Sequence, residues 1–239
     1  MITSPHNEKL KQIRRLRQRK FREREGLFLA EGEDLLAAAR NAGAEPVELL
    51  TAAGEGLGGI EVDPEVLAGA STLGSGTRSI GVWPRRFAEA VEAPVTYLHG
   101  IGDPGNVGAI VRSAAALLGG TVFVGPDCAD PYSPKAVRAS MGAVFMQPIA
   151  RGGIDETPEP RAALVAHGGA GLARLGAPST LCLGAEREGL PEEVLAGCET
   201  RVTIPVREQA ESLNVAAAAA IAFQRIASSD SAVRGDANG

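Results

Sequence analysis

VTYLHGIGDPGNVGAIVRSAAALLGGTVFVG, residues 95–125, decides the fold class. Residues 95–99 and 121–125 are short runs rich in Val, Thr, Tyr and Phe, the composition of buried strands. Between them a glycine-rich turn leads into a helical pattern over 107–118, where Ile110, Val111, Ala114, Leu117 and Leu118 form one apolar stripe. Strand, turn, helix and strand in this order make a crossover, and strands joined that way run parallel.

The turn Gly100-Ile-Gly-Asp-Pro-Gly105 spells GxGxxG, and Asp127 stands where the ribose-binding acid of a dinucleotide fold could sit. Pro104 argues against that reading, because it removes one N–H from a loop that would cradle a pyrophosphate. The helix start is expected near Asn106, which can serve as its N-cap, meet a ligand, or do both. The apolar stripe sets Arg112 on nearly the opposite side of the helix. It is either a solvated arginine or a group that reaches a substrate, and Gly108 one turn earlier leaves room beside it.

Outward from this unit the alternation continues. Strands are expected at 145–149, 163–166, 180–183 and 201–206, and helices at 134–141, 191–196 and 213–227, around a largely parallel sheet. Ser133 to Gly142 has the form of an N-cap, a first-turn proline, a short helix and a terminal glycine; Lys135 and Arg138 share one face, as a phosphate grip or a solvated pair. In Leu183-Gly-Ala-Glu-Arg-Glu-Gly-Leu-Pro191 two glycines permit either a tight turn or a close ligand, and Glu186 lies at a strand's carboxyl end, where open α/β sheets hold ligands. An exposed loop acid is the alternative for Glu186. Ile204 to Val215 leads into an alanine-rich helix with Ser212 as the expected N-cap, and that helix either packs in the core or meets a second subunit.

Upstream, residues 7–24 read as one helix with Leu10, Ile13 and Leu16 as its apolar stripe. Strands at 27–30 and 47–50, helices at 34–41 and 63–68, and a candidate closing strand at 79–83 complete a small α/β unit. PRRFAEAVEAP, residues 84–94, is polar and bracketed by prolines, which marks a linker. The chain therefore divides into 1–88 and 94–228, with a polar tail at 229–239 expected to be disordered.

The formal net charge of −5 argues against indiscriminate nucleic-acid binding, yet nine of the sixteen residues from Lys9 to Arg24 are Lys or Arg. Such a local basic surface, including Lys11, Arg14 and Arg15, can still meet a polyanion. Three scattered cysteines and three isolated histidines give no metal-ligand spacing, so no metal is expected. No apolar run reaches the roughly 18 residues of a membrane span and the start is polar, so a cytoplasmic location off the membrane is expected.

Four segments taken together resemble the SpoU/TrmH branch of the SPOUT methyltransferases, ribose 2′-O-methyltransferases of ribosomal or transfer RNA. They are DPGNVGAIVR (103–112), DPYSPKAVRASMGAVF (130–145), LGAEREGL (183–190) and IPVREQAESLNVAAA (204–218), in the family order and spacing. SPHNEKLKQIRRL and FLAEG, within 4–32, also resemble the small RNA-binding domain, similar to a ribosomal-protein fold, that precedes the catalytic domain in several members. The resemblance implies an α/β catalytic domain with a deep trefoil knot, a homodimer, S-adenosylmethionine as methyl donor, and 23S ribosomal RNA as substrate, the alternatives being a transfer RNA 2′-O-methyltransferase or a non-catalytic RNA-binding or assembly factor on the same fold. It implies that Leu183, Gly184, Gly189, Ile204 and Leu213 surround the donor. It further implies that Arg112 stands at the reacting ribose, and that Asn106, Glu186, Ser212 and Asn214 are the other active-site positions. Lys11, Arg14, Arg15, Lys135 and Arg138 would meet RNA. The chain departs from the common family pattern at Arg187, where Gly is usual, at Val206 for Met and at Ala216 for Ser.

Overall fold

The computed structural model describes residues 1–73, 76–89, 91–207, 209 and 212–235. They form two compact units, one of Met1–Arg86 with Asp130–Met146, the other of Phe87–Ala129 with Gln147–Gly239.

The first unit begins with α1 (Glu8–Leu16) and α2 (Arg19–Glu25), followed by β1 (Leu27–Glu31), α3 (Glu33–Asn41), β2 (Glu48–Ala52), β3 (Ile60–Val62), α4 (Pro64–Ala70) and β4 (Ser79–Pro84). The single helix expected over 7–24 is broken at Gln18, whose backbone is extended. Arg22 supplies the reason. Its guanidinium turns back and donates to the carbonyls of Leu16 at 2.9 Å and Arg17 at 2.7 Å, satisfying the end of α1 with a cation as a helix C-terminus prefers. Leu10, Ile13 and Leu16 are fully buried and pack with Leu50, Val62, Leu67 and Ile80. The sheet order is β1-β4-β2-β3, so the candidate closing strand lies inside the sheet, antiparallel to both β1 and β2.

The second unit contains β5 (Val95–Leu98), α5 (Pro104–Leu117) and β6 (Thr121–Val124); after them α6 (Pro134–Ala139) belongs to the first unit. Then follow β7 (Ile149–Arg151), β8 (Arg161–Leu164), β9 (Ala170–Gly171), β10 (Thr180–Leu183), α7 (Glu192–Ala196), β11 (Thr200–Thr203) and α8 (Val215–Gly235). Among the described residues the sheet runs β7-β6-β5-β10-β8-β11-β9 and is parallel at every pairing. Val95, Tyr97, Phe123, Ala163, Cys182 and Val194 pack into one core cluster of this unit. The helix expected to end at 227 continues to Gly235, so most of the expected disordered tail is helical backbone; residues 236–239 lie outside the described residues.

Residues 130–146 were expected to run from a helix into a strand at 145–149. Instead, Ala143–Phe145 is a single 3₁₀ turn and β7 starts at Ile149. Phe145 is taken by an aromatic cluster, 5.8 Å from the Phe28 ring and 5.1 Å from the Trp83 ring, and Tyr132 lies 4.9 Å from Phe28. Gly142 has φ +92°, and a Cβ there would also collide with Ala38 of α3, so only glycine closes this segment onto the unit. Asp130 anchors its start: Arg22 Nε donates to Asp130 Oδ2 at 2.8 Å, and Arg85 Nη2 lies 3.4 Å from Oδ1. All three side chains are at most 5% exposed.

Candidate functional site

The carboxyl ends of parallel strands gather the site. The first helix, α5, starts earlier than the sequence indicated: Asp103 is its N-cap, with Oδ1 accepting from the N–H of Gly105 at 2.6 Å and of Asn106 at 3.2 Å, and Pro104 occupies the first turn. Asn106 is therefore not the cap, and its amide is free for other work. Nδ2 of Asn106 donates to Glu186 Oε1 at 2.7 Å, while its Oδ1 accepts from Asn214 Nδ2 at 3.0 Å.

Asn214 closes the triangle by also donating from Nδ2 to Glu186 Oε1, at 2.9 Å. Its other end replaces Ser212 as the cap of α8, because Oδ1 accepts from the N–H of Ala216 at 3.0 Å and of Ala217 at 3.3 Å. One amide thus serves both a helix terminus and the polar cluster. Its shape suits the task, since the acceptor oxygen and donor nitrogen point opposite ways.

Glu186 sits on the loop between β10 and α7. Ala185 and Gly189 exchange N–H···O bonds of 3.1 and 3.0 Å, which pins the loop at its base and projects residues 186–188 as a tip. A Cβ on Gly184 would run into the backbone of Gly189 and Leu190, and Gly189 itself has φ +69°. Both glycines are needed by the turn, whatever they also offer a ligand.

Beside this loop is a cleft of about 380 Å³. Its walls come from Leu183 to Leu190, from Leu164 to His167 after β8, and from Ile204, Val206, Ser212, Leu213, Val215 and Ala218. All five residues assigned to the donor, Leu183, Gly184, Gly189, Ile204 and Leu213, line it, as do Glu186 and Ser212. The wall from Leu164 to His167 was not foreseen. Its only signal was the position after a buried strand, at the same sheet end as the other loops.

Arg112 is exposed on α5 and has no hydrogen bond or ion pair among the described residues. The basic residues of the first unit are less uniform than their count implied. Arg15 is exposed, Lys11 pairs with Glu8 at 2.7 Å, Arg14 donates to the Pro5 carbonyl at 2.6 Å, and Arg22 is interior. Lys135 is exposed, and Arg138, half-buried, donates to Thr72 Oγ1 at 2.9 Å. Among the described residues no group of His, Cys, Asp and Glu could hold a metal, and no helix is long and apolar enough to cross a membrane.

A buried and a half-buried cysteine meet in the second unit. Cys198 Sγ is 3.7 Å from Cys182 Sγ; the hydrogen bond between them holds the Cys198 thiol below its ordinary pKa and, with burial, pushes that of Cys182 up.

Comparison with known proteins matches residues 94–224 to the SpoU rRNA Methylase family and residues 7–76 to an MRM3-like substrate binding domain. An uncharacterized tRNA/rRNA methyltransferase of Mycobacterium tuberculosis is 37% identical over 54% of this chain and 50% of its own length. The 23S rRNA (uridine(2479)-2′-O)-methyltransferase of Streptomyces viridochromogenes is 36% identical over 52% of this chain and 49% of its own length. The alignments thus span about half the length of these relatives. Among solved structures, an AdoMet-bound rRNA methyltransferase from Sinorhizobium meliloti superposes with a TM-score of 0.83 at 28% identity, covering 94% of this chain and 95% of that one. With its family match running through every loop that builds the cleft, the chain belongs to the SpoU rRNA Methylase family.

Proposed function

We propose that this chain transfers the methyl group of S-adenosylmethionine to a ribose 2′-hydroxyl of 23S ribosomal RNA. The observation that carries the reading is the triangle of Asn106, Glu186 and Asn214 at the edge of a largely apolar cleft, at the carboxyl ends of parallel strands. The cleft volume of about 380 Å³ falls within the usual range of small-ligand pockets, and Leu183, Ile204 and Leu213 offer apolar surface to an adenine. The AdoMet-bound neighbour supports the choice of donor, and the relative named as a 23S rRNA 2′-O-methyltransferase supports the choice of acceptor.

When bound, the donor supplies a methyl group on a sulfonium, open to in-line attack by an oxygen. The chain's own residues orient the partners, and orientation is where most of the acceleration arises. Asn106 and Asn214 both donate to Oε1 of Glu186, so Oε2 remains available to accept from a substrate hydroxyl. Arg112 is not a base, because a guanidinium stays protonated in proteins. It holds a phosphate next to the reacting ribose and stabilises negative charge developing on the 2′-oxygen.

The family resemblance also carries the deep trefoil knot and the homodimer. Ile221, 41% exposed on α8, and Ala217 one turn before it are the apolar surface available to such a partner. The first unit, with Lys11, Arg14, Arg15, Lys135 and Arg138, would hold the RNA backbone.

The test is a methylation assay on 23S ribosomal RNA and on transfer RNA, with mapping of the modified ribose. Arg112→Lys keeps the charge but loses the planar fork, and turnover should fall roughly hundredfold or more while donor binding by calorimetry is unchanged. Near-wild-type turnover in that variant sinks the role of Arg112; no methylation of either RNA sinks the activity.

A further inference from the structure

The tip of the β10–α7 loop presents Glu186, Arg187 and Glu188, all exposed and all on the cleft wall. Glu186 is committed through Oε1 to two amides. Arg187 has no hydrogen bond or ion pair among the described residues. The side chain is also a departure from the resemblance described above, where glycine is usual at that place. Among the described lining residues only Arg187 and His167 carry basic side chains and only Glu186 and Glu188 acidic ones; most of the rest of the wall is apolar or glycine.

The consequence follows from the chemistry of a ligand with an amino-acid end. Such an end is a zwitterion, and its carboxylate loses hydration on entering a cleft walled by Leu, Ile and Val, which is costly unless a cation or hydrogen-bond donors replace the water. A guanidinium matches a carboxylate with two parallel N–H···O bonds, a geometry that neither a glycine nor an imidazole can offer. The pinned base of the loop limits how far the tip can wander, so the fork is held near the cleft at small entropic cost. We propose that Arg187 binds the α-carboxylate of S-adenosylmethionine, which makes it a side-chain anchor for the donor's amino-acid end. This rests on reading the cleft as the donor site.

Calorimetric titration of the full chain with three ligands tests it: S-adenosylmethionine, its decarboxylated analogue, and 5′-methylthioadenosine. Arg187→Ala should weaken S-adenosylmethionine roughly tenfold, and leave the two ligands without a carboxylate within about twofold of wild type. Arg187→Gln, which keeps the length and loses the charge, should show the same selectivity, and Arg187→Lys should fall between. Equal weakening of all three ligands overturns the proposal in favour of a change in loop geometry. No weakening of any, with weaker RNA binding in a gel-shift assay, overturns it in favour of a phosphate contact. If the wild-type chain binds none of the three, the donor-site reading itself fails, and the proposal fails with it.

Discussion

Two polar clusters, one in each unit, are built alike and treated differently by water. In the first unit Arg22, Arg85 and Asp130 meet from three distant stretches of sequence, each side chain at most 5% exposed. In the second unit Asn106, Glu186 and Asn214 also meet from three distant stretches, but Glu186 and Asn214 are exposed and Asn106 is only half-buried. Charge inside a protein is tolerated only when matched, so the first cluster commits its buried groups to one another and offers a ligand little access. The second keeps its groups hydrated and partly unspent. Position in the sequence would not separate them; access to solvent does.

That contrast can be broken by removing one member of each cluster. The largest effect is expected from Asp130→Ala, which leaves two buried guanidinium groups without their carboxylate and should cost about 3–5 kcal/mol of stability. Urea denaturation would measure it, and a loss under about 1 kcal/mol would mean that the pair is far less isolated from water than its burial indicates. Asn214→Ala should come next. Loss of the α8 cap costs about 1 kcal/mol, and loss of the shared donor to Asn106 and Glu186 should lower methyl transfer roughly ten- to hundredfold through misplacement. An Asn214→Asp variant sharpens this, since it keeps the cap oxygen while placing a second acceptor opposite Glu186; it should retain the stability and lose the activity. Glu186→Gln should change stability least, within about 0.5 kcal/mol as for other exposed sites, while still depressing turnover. A thermal shift as large as that of Asp130→Ala would erase the distinction between the clusters.

Much of the second unit was legible in sequence because its signals are local. β10 matches residue for residue, and β5 and β6 each differ at one end only, since short runs of β-formers bounded by glycine and proline define them. The cleft loops after β10 and before α8 were found from their motifs and from the rule for open sheets, while the wall from Leu164 to His167 was not. What escaped was non-local. Nothing near Arg22 distinguishes it from the eight other Lys and Arg residues between Lys9 and Arg24, because its burial depends on Asp130, far along the chain. Asn214 and Ser212 are both acceptable caps by composition, and only the geometry of α8 chooses between them. The strand expected at 145–149 failed for the same reason: Phe145 fits a strand by propensity, but an aromatic cluster with Phe28 and Trp83 takes it.

The membership of residues 130–146 in the first unit bears on how the molecule comes into being. The chain crosses between units after Arg86, after Ala129 and after Met146, so the first unit lacks one of its own parts while its first 86 residues leave the ribosome. Until residues 130–146 are synthesised, the Asp130 carboxylate that pairs with Arg22 and Arg85 is missing, and Phe28 lacks the Tyr132 and Phe145 rings. Amino-terminal domains ordinarily fold first during synthesis; here the amino-terminal unit has to wait for a segment that arrives in the middle of its neighbour. A cut near Ala88 therefore does not yield two intact halves, and replacing the amino-terminal unit with another would mean rebuilding three junctions rather than one.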